Sequence, residues 1–148
     1  MPVSTARAQW SGSLFDGKGS VEPASGAFGA LPLTWENRAD KRPAGSTSPE
    51  ELIATAHAGC FSMAFSNMLA QNGTPPEHLA VEANVEFDTS GSGGARISSS
   101  ELRVTGVVPG IDAATFDDIA AKARDGCPVS KALTGNVDLS VHSTLEPS

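Results

Sequence analysis

Cysteine is scarce in this chain: Cys60 and Cys127 are the only two among 148 residues. With no Cys-x-x-Cys pair, both the compact ligand spacing of a structural zinc site and the thioredoxin-type redox motif are missing. A metal site built from Cys60, Cys127 and His57 falls short of the usual four protein ligands, because only His78 and His142 remain to complete it. No metal is expected. Basic residues are also few, 10 Lys and Arg against 17 Asp and Glu, for a net charge of −7. That balance argues against nucleic acid or an anionic membrane surface as partner, since phosphate-rich ligands need clustered cations. Met1 to Trp10 lacks the apolar core of a secretory signal, so a cytoplasmic setting is expected, where ordinary thiols stay reduced. Lys, Arg, Asp and Glu are absent from Leu52 to Ala70, a run of near membrane-spanning length. Thr55, His57, Ser62, Ser66 and Asn67 interrupt it, so it reads as a buried helix of a soluble protein rather than a membrane span. Gly93-Gly94 has no following helix start or Lys, which excludes a phosphate loop.

Hydrophobic residues make up 39% and charged residues 18%, with 15 glycines and 10 prolines, a composition that folds. The length predicts one domain, residues 1–148. Extended pieces at Ala6–Leu14, Gly19–Glu22 and Leu31–Trp35, broken by glycines, predict an antiparallel meander. Ser48-Pro49-Glu50-Glu51 then starts a helix, with Ser48 as cap, Pro49 at the first helical position and Glu51 completing a capping box. Asn72-Gly73-Thr74-Pro75-Pro76 stops it near Gln71. This helix is apolar on most faces and must be covered all round, for which a second subunit is the natural source. Val81, Ala83, Val85 and Phe87 alternate with polar residues, predicting a half-buried strand that pairs as a hairpin with Arg96–Val108. Asp112 caps a predicted helix from Ala113 to about Arg124, with Phe116, Ile119, Ala120 and Ala123 on one face. A short helix Pro128–Leu133 and a last strand Val137–His142 follow. Strands with two or three segregated helices indicate an α+β domain.

The two cysteines differ in context. Cys60 lies inside the apolar helix, where a free cysteine is as readily an inert small hydrophobe as a reactive thiol. Cys127 follows a glycine at a helix start, where backbone N–H groups favour thiolate over thiol. Two thiols suffice for a peroxidase: one thiolate attacks the O–O bond and becomes a sulfenic acid, and the other condenses with it to a disulfide. The attacking thiol needs its pKa brought down by a nearby cation, and an alkyl-bearing substrate needs an apolar surround. Met63, Phe61, Phe65 and Met68 read as core or dimer packing, and His57 as a satisfied core histidine outside the catalytic set.

Thr47-Ser48-Pro49-Glu50-Glu51-Leu52, Ala56-His57-Ala58-Gly59-Cys60-Phe61-Ser62-Met63-Ala64, Pro109-Gly110-Ile111-Asp112 and Gly126-Cys127-Pro128-Val129-Ser130 together resemble the OsmC/Ohr family over nearly the whole chain. His57 before Ala58-Gly59-Cys60 is more similar to the OsmC branch, since an aromatic Tyr is more usual in the Ohr branch. The resemblance implies an intertwined α+β homodimer, with antiparallel sheets packed around long central helices. It implies reduction of organic hydroperoxides without metal or organic cofactor, hydrogen peroxide being an open second substrate and lipoyl-type dithiols the electron donors. It assigns Cys60 as the peroxidatic cysteine, Cys127 as the resolving one, Glu50 as the acidic partner and Arg38 as the arginine, with Arg42 close enough in sequence to compete. Ten residues separate Glu50 from Cys60, ~15 Å along a straight helix, so Glu50 cannot reach its own Cys60 unless the helix breaks. Acting across the dimer or through Arg38 are the alternatives, and a Glu50–Arg38 pair that fixes the guanidinium is the preferred one. A non-enzymatic redox sensor using the same Cys60–Cys127 disulfide, and a binding module in which both cysteines only pack, are the competing readings.

Overall fold

The structure is a computed structural model that describes residues 1–40 and 42–148. Its contacts divide the chain into two compact units, Met1–Leu52 and Ile53–Ser148.

In the first unit β1 (Ala6–Ser11), β2 (Lys18–Pro23) and β3 (Leu31–Leu33) form an antiparallel sheet in that order. The β1–β2 register runs from Ala6 opposite Pro23 to Ser11 opposite Lys18. β1 stops at Ser11, short of the expected Leu14, because Gly12 takes a positive φ of 90° and turns the chain away. The turn is tight enough that a Cβ at Gly17 would run into the Ser13 carbonyl. The third strand is likewise shorter than predicted. Trp35 opens a helix, α1 (Trp35–Ala39), whose N-cap Thr34 accepts the Asn37 N–H through Oγ1 at 3.1 Å. Five residues are too few to show a helical hydrophobic period, and the predicted strand ran on over the first of them, Trp35.

Helix α2 (Pro49–Gln71) has the predicted boundaries. Ser48 Oγ accepts the Glu51 N–H at 3.1 Å, and the Glu51 carboxylate accepts from Thr47 Oγ1 at 2.7 Å and pairs with Arg42. Gly73 ends the helix with a positive φ of 85°, and the Thr74 N–H returns to the Leu69 carbonyl. By length and composition α2 could cross a membrane. Its residues His57, Phe61, Phe65 and Leu69, spaced four apart, are instead fully buried against protein.

The second unit holds a sheet in the order β4 (His78–Asp88), β5 (Arg96–Val107), β6 (Asp138–Glu146). β4 and β5 form the expected hairpin, with a bulge at Glu86/Phe87, and β4 alternates wet and half-buried residues along its length. The expectation of purely antiparallel sheets fails at β6, which lies parallel to β5. The cause is the connection: α3 (Ala113–Gly126) and α4 (Pro128–Leu133) carry the chain back to the starting end of β5, so the next strand runs the same way. Pairing with β5 also extends β6 to Glu146, beyond the predicted His142.

Phe116, Ile119, Ala120 and Ala123 of α3 face the core as their spacing requires, together with Phe61, Phe65, Leu69, Leu102, Val104 and Val108. Phe65 of α2 meets Phe116 of α3 with ring centroids 5.0 Å apart. Gly106 of β5 leaves room for that ring, since a Cβ there would come within 2.9 Å of Phe116 and of Leu79. Removing the Phe116 ring should therefore cost about 3–5 kcal/mol in a urea unfolding titration of Phe116→Ala. Asp112→Ala, which removes the α3 cap to the Thr115 N–H, should cost only about 1 kcal/mol.

Candidate active site

The two cysteines, far apart in the chain, meet in the second unit. Cys60 arrives on α2, half-buried against the core, and Cys127 arrives fully buried at the junction where α3 gives way to α4. Both are free thiols. Burial pushes the Cys60 thiol up, and its S–H, turned toward the Cys127 sulfur, pushes it further, outweighing the Val129 N–H that acts the other way. Burial also acts to raise Cys127. It is outweighed by the Cys60 thiol, the amide and hydroxyl of Ser130 and the Val129 amide, which together hold Cys127 below its ordinary value. The lowering thus falls on Cys127 rather than on Cys60, because Cys60 sits among apolar neighbours and turns its S–H toward Cys127, whose sulfur is the better supplied with donors.

His57 lies one turn before Cys60 on α2 and is fully buried. Its Nδ1 is 2.7 Å from Ser100 Oγ on β5 and its Nε2 2.7 Å from Ser130 Oγ on α4. Burial lowers its pKa, so the ring is neutral. The reading of His57 as a satisfied core histidine holds, and both its partners are buried hydroxyls that no sequence periodicity marks.

In the first unit the predicted Arg38–Glu50 pair is present. Arg38 Nε and one terminal nitrogen both reach Glu50 Oε1, at 2.9 and 2.8 Å. The Glu50 side chain is 5% exposed and that of Arg38 33%, so the carboxylate anchors a guanidinium that keeps access to solvent. Glu50 Oε2 is buried and has no hydrogen-bond partner among the described residues. Arg42 is engaged elsewhere, donating to Glu51, Ser48 Oγ and the Asn37 carbonyl. Arg38 also borders a cavity of about 340 Å³ lined by Trp10, Leu14, Leu33 and Trp35. Helix α2 is continuous from Pro49 to Gln71, so the break that would fold Glu50 back toward Cys60 does not occur. Among the described residues no cluster of His, Cys, Asp and Glu could hold a metal.

Two free thiols in direct contact on an α+β scaffold are the arrangement that dithiol redox chemistry requires. The chain belongs to the OsmC family: the family description "OsmC-like protein" matches residues 42–142. It is 42% identical to Peroxiredoxin OsmC of Escherichia coli (strain K12) over 133 residues, 90% of this chain and 91% of that protein. It is 32% identical to the organic hydroperoxide resistance protein of Xanthomonas axonopodis pv. citri over 96 residues, 64% of this chain and 65% of that one. The crystal structure of OhrB of Bacillus subtilis, the organic hydroperoxide resistance protein, superposes with a TM-score of 0.73 at 25% identity, covering 95% of this chain and 98% of that one.

Sequence reasoning found both thiols and the ion pair but not Ser100 and Ser130. One available signal was the Cys127-Pro128-Val129-Ser130 spacing, which sets Ser130 three residues beyond a helix cap, the usual place for a side chain that reaches back. The buried neutral imidazole makes stability depend on pH. Unfolded histidine, near its ordinary 6.5, binds a proton that the folded ring refuses, so the contribution is present above that value and is lost as pH falls below it. The unfolding free energy should drop between about pH 7 and pH 5, and His57→Gln should flatten that slope in urea titrations across the range.

Proposed function

We propose that this protein is a cytoplasmic, thiol-dependent peroxidase that reduces organic hydroperoxides, with Cys60 as the attacking thiol and Cys127 as the resolving one. The observation that carries the reading is the direct contact between the only two thiols of a chain in this family. The names of its relatives, peroxiredoxin and organic hydroperoxide resistance protein, support a peroxidase-type role.

When the pair has lost one proton, the remaining one lies between the Cys60 and Cys127 sulfurs. Shifting it to Cys127 leaves a Cys60 thiolate, which attacks the peroxide O–O bond. Cys60 becomes a sulfenic acid and the alkoxide leaves as an alcohol after taking up a proton. Cys127 then displaces the hydroxyl as water and forms the Cys60–Cys127 disulfide. A lipoyl-type dithiol reduces the disulfide and is itself oxidised. The cycle needs no metal or organic cofactor. Arg38, fixed by Glu50, is the arginine that the family resemblance implies as the cation that stabilises the leaving oxygen.

The family match over residues 42–142 crosses the division between the two units and supports reading the chain as one functional domain. We further read it as an intertwined homodimer with the cysteine-bearing helices central. Opposite its buried row, α2 exposes Ala56, Gly59, Met63 and Ala70, and Met63 is 75% exposed, an apolar face that a second copy would cover.

Cys60→Ser should abolish steady-state consumption of cumene hydroperoxide with dihydrolipoamide, while Cys127→Ser should make one sulfenic acid per chain and then stall. Turnover at the parent rate by Cys60→Ser would remove the reading, and disulfide formation without turnover in excess dithiol would establish the sensor alternative. Glu50→Ala and Arg38→Ala should each slow turnover by roughly 10- to 100-fold, the effect of a misplaced catalytic group. Arg42→Ala should leave the rate nearly unchanged.

A further inference from the structure

His57 stands at the middle of a buried polar chain that the peroxidase cycle, as set out above, does not use. Ser100 Oγ, the two imidazole nitrogens and Ser130 Oγ are joined by 2.7 Å contacts, and all three residues are fully buried. Ser130 follows Cys127 by three residues on the first turn of α4, and Cys127 is fully buried with it. The Ser130 hydroxyl acts on the Cys127 sulfur as a donor.

Counting protons fixes the direction of the chain. A serine hydroxyl has one hydrogen, so if Ser130 gives it to the Cys127 sulfur, its oxygen must accept from His57 Nε2–H. A neutral imidazole carries one N–H, so Nδ1 is then the acceptor and takes the Ser100 hydroxyl hydrogen. Every donor points the same way, from β5 through α2 to α4, and the last one ends on sulfur.

We propose that His57 is a positioning residue for the resolving step, which through Ser130 aims an O–H donor at the Cys127 sulfur and so sets how readily that sulfur attacks the Cys60 sulfenic acid. This inference rests on the peroxidase reading for its role and on the Ser100–His57–Ser130 chain for its geometry. In the step concerned, the Cys127–S to Cys60–S bond forms and the Cys60 S–O bond breaks. The departing hydroxide takes the proton given up by Cys127 and leaves as water. No other oxidant or reductant enters. The donor chain acts on the Cys127 sulfur, so losing it makes Cys127 the readier holder of the shared proton and does not slow the first step, attack of Cys60 on peroxide.

The test measures the resolving thiol without any turnover. In a Cys60→Ser background only Cys127 titrates, and its thiolate is followed by ultraviolet absorbance. His57→Leu and Ser130→Ala in that background should each raise the Cys127 thiol pKa by about one, the scale of a hydrogen bond to a charged group. His57→Gln, which keeps an amide N–H near the Nε2 position, should restore most of the parent value. With both cysteines present, Ser130→Ala should slow disulfide formation about tenfold after a stoichiometric pulse of peroxide, in proportion to the lost thiolate, while sulfenic acid appears no more slowly than in the parent. An unchanged Cys127 pKa in folded Ser130→Ala would overturn the inference, and so would equal slowing of both steps. If the thiol titrations behave as expected but Cys60→Ser still consumes peroxide at the parent rate, the peroxidase reading fails while the donor chain to Cys127 stands.

Discussion

The packing of one face of α2 against β5, α3 and α4 is the constraint on which the rest of the second unit depends. A helix with so few charges must bury a full row, and His57, Phe61, Phe65 and Leu69 supply it at a spacing of four. Once Phe65 seats against Phe116 and His57 reaches Ser100 and Ser130, the rotation of α2 is fixed. Cys60 is one residue before Phe61, so the same rotation turns it to the rim of the core and toward Cys127. The thiol contact is therefore a consequence of core packing and needs no disulfide to hold it.

That placement explains the distribution of charge between the sulfurs. Cys60 has the apolar surroundings of a core residue, which disfavour its thiolate. Cys127 is more deeply buried, yet it is surrounded by donors from Ser130, Val129 and Cys60 itself, and the donors win. Once the pair has lost a proton, moving the remaining one between the sulfurs exchanges their roles. The polar chain through His57 is costly to bury and would be destabilising if any member were left unpaired. It is fully satisfied, which makes it a rigid support as well as a source of donors.

The ion pair of the first unit follows a different rule. Glu50 is a buried carboxylate, and a buried charge survives only when matched, so Arg38 is bound to it through two nitrogens on one oxygen. Helix α1 exists for the five residues needed to present Arg38, with Thr34 as its cap. Arg42, three residues beyond that helix, satisfies the start of α2 instead, through Ser48 and Glu51. Two arginines that compete in sequence, Arg38 the better match, thus divide cleanly between anchoring a buried acid and stabilising a helix start.

Much of this was legible in the sequence, for physical reasons that differ by element. The start and stop of α2, the cap and buried face of α3, the alternation of β4 and the position of Cys127 beside α4 are local matters of capping chemistry and periodicity, which a sequence carries directly. The pairing of Glu50 with Arg38 was legible through family resemblance, not through spacing. What only the tertiary structure decided is everything set by the meeting of distant segments: the parallel placement of β6, the short helix that carries Arg38, the hydroxyls on either side of His57, and which of the two thiols is the more acidic. Strand direction depends on where a connection lands, and a thiol's acidity on the donors and burial that the fold brings to it. The sequence by itself therefore named the two thiols, and the packing of α2 decided how they face each other.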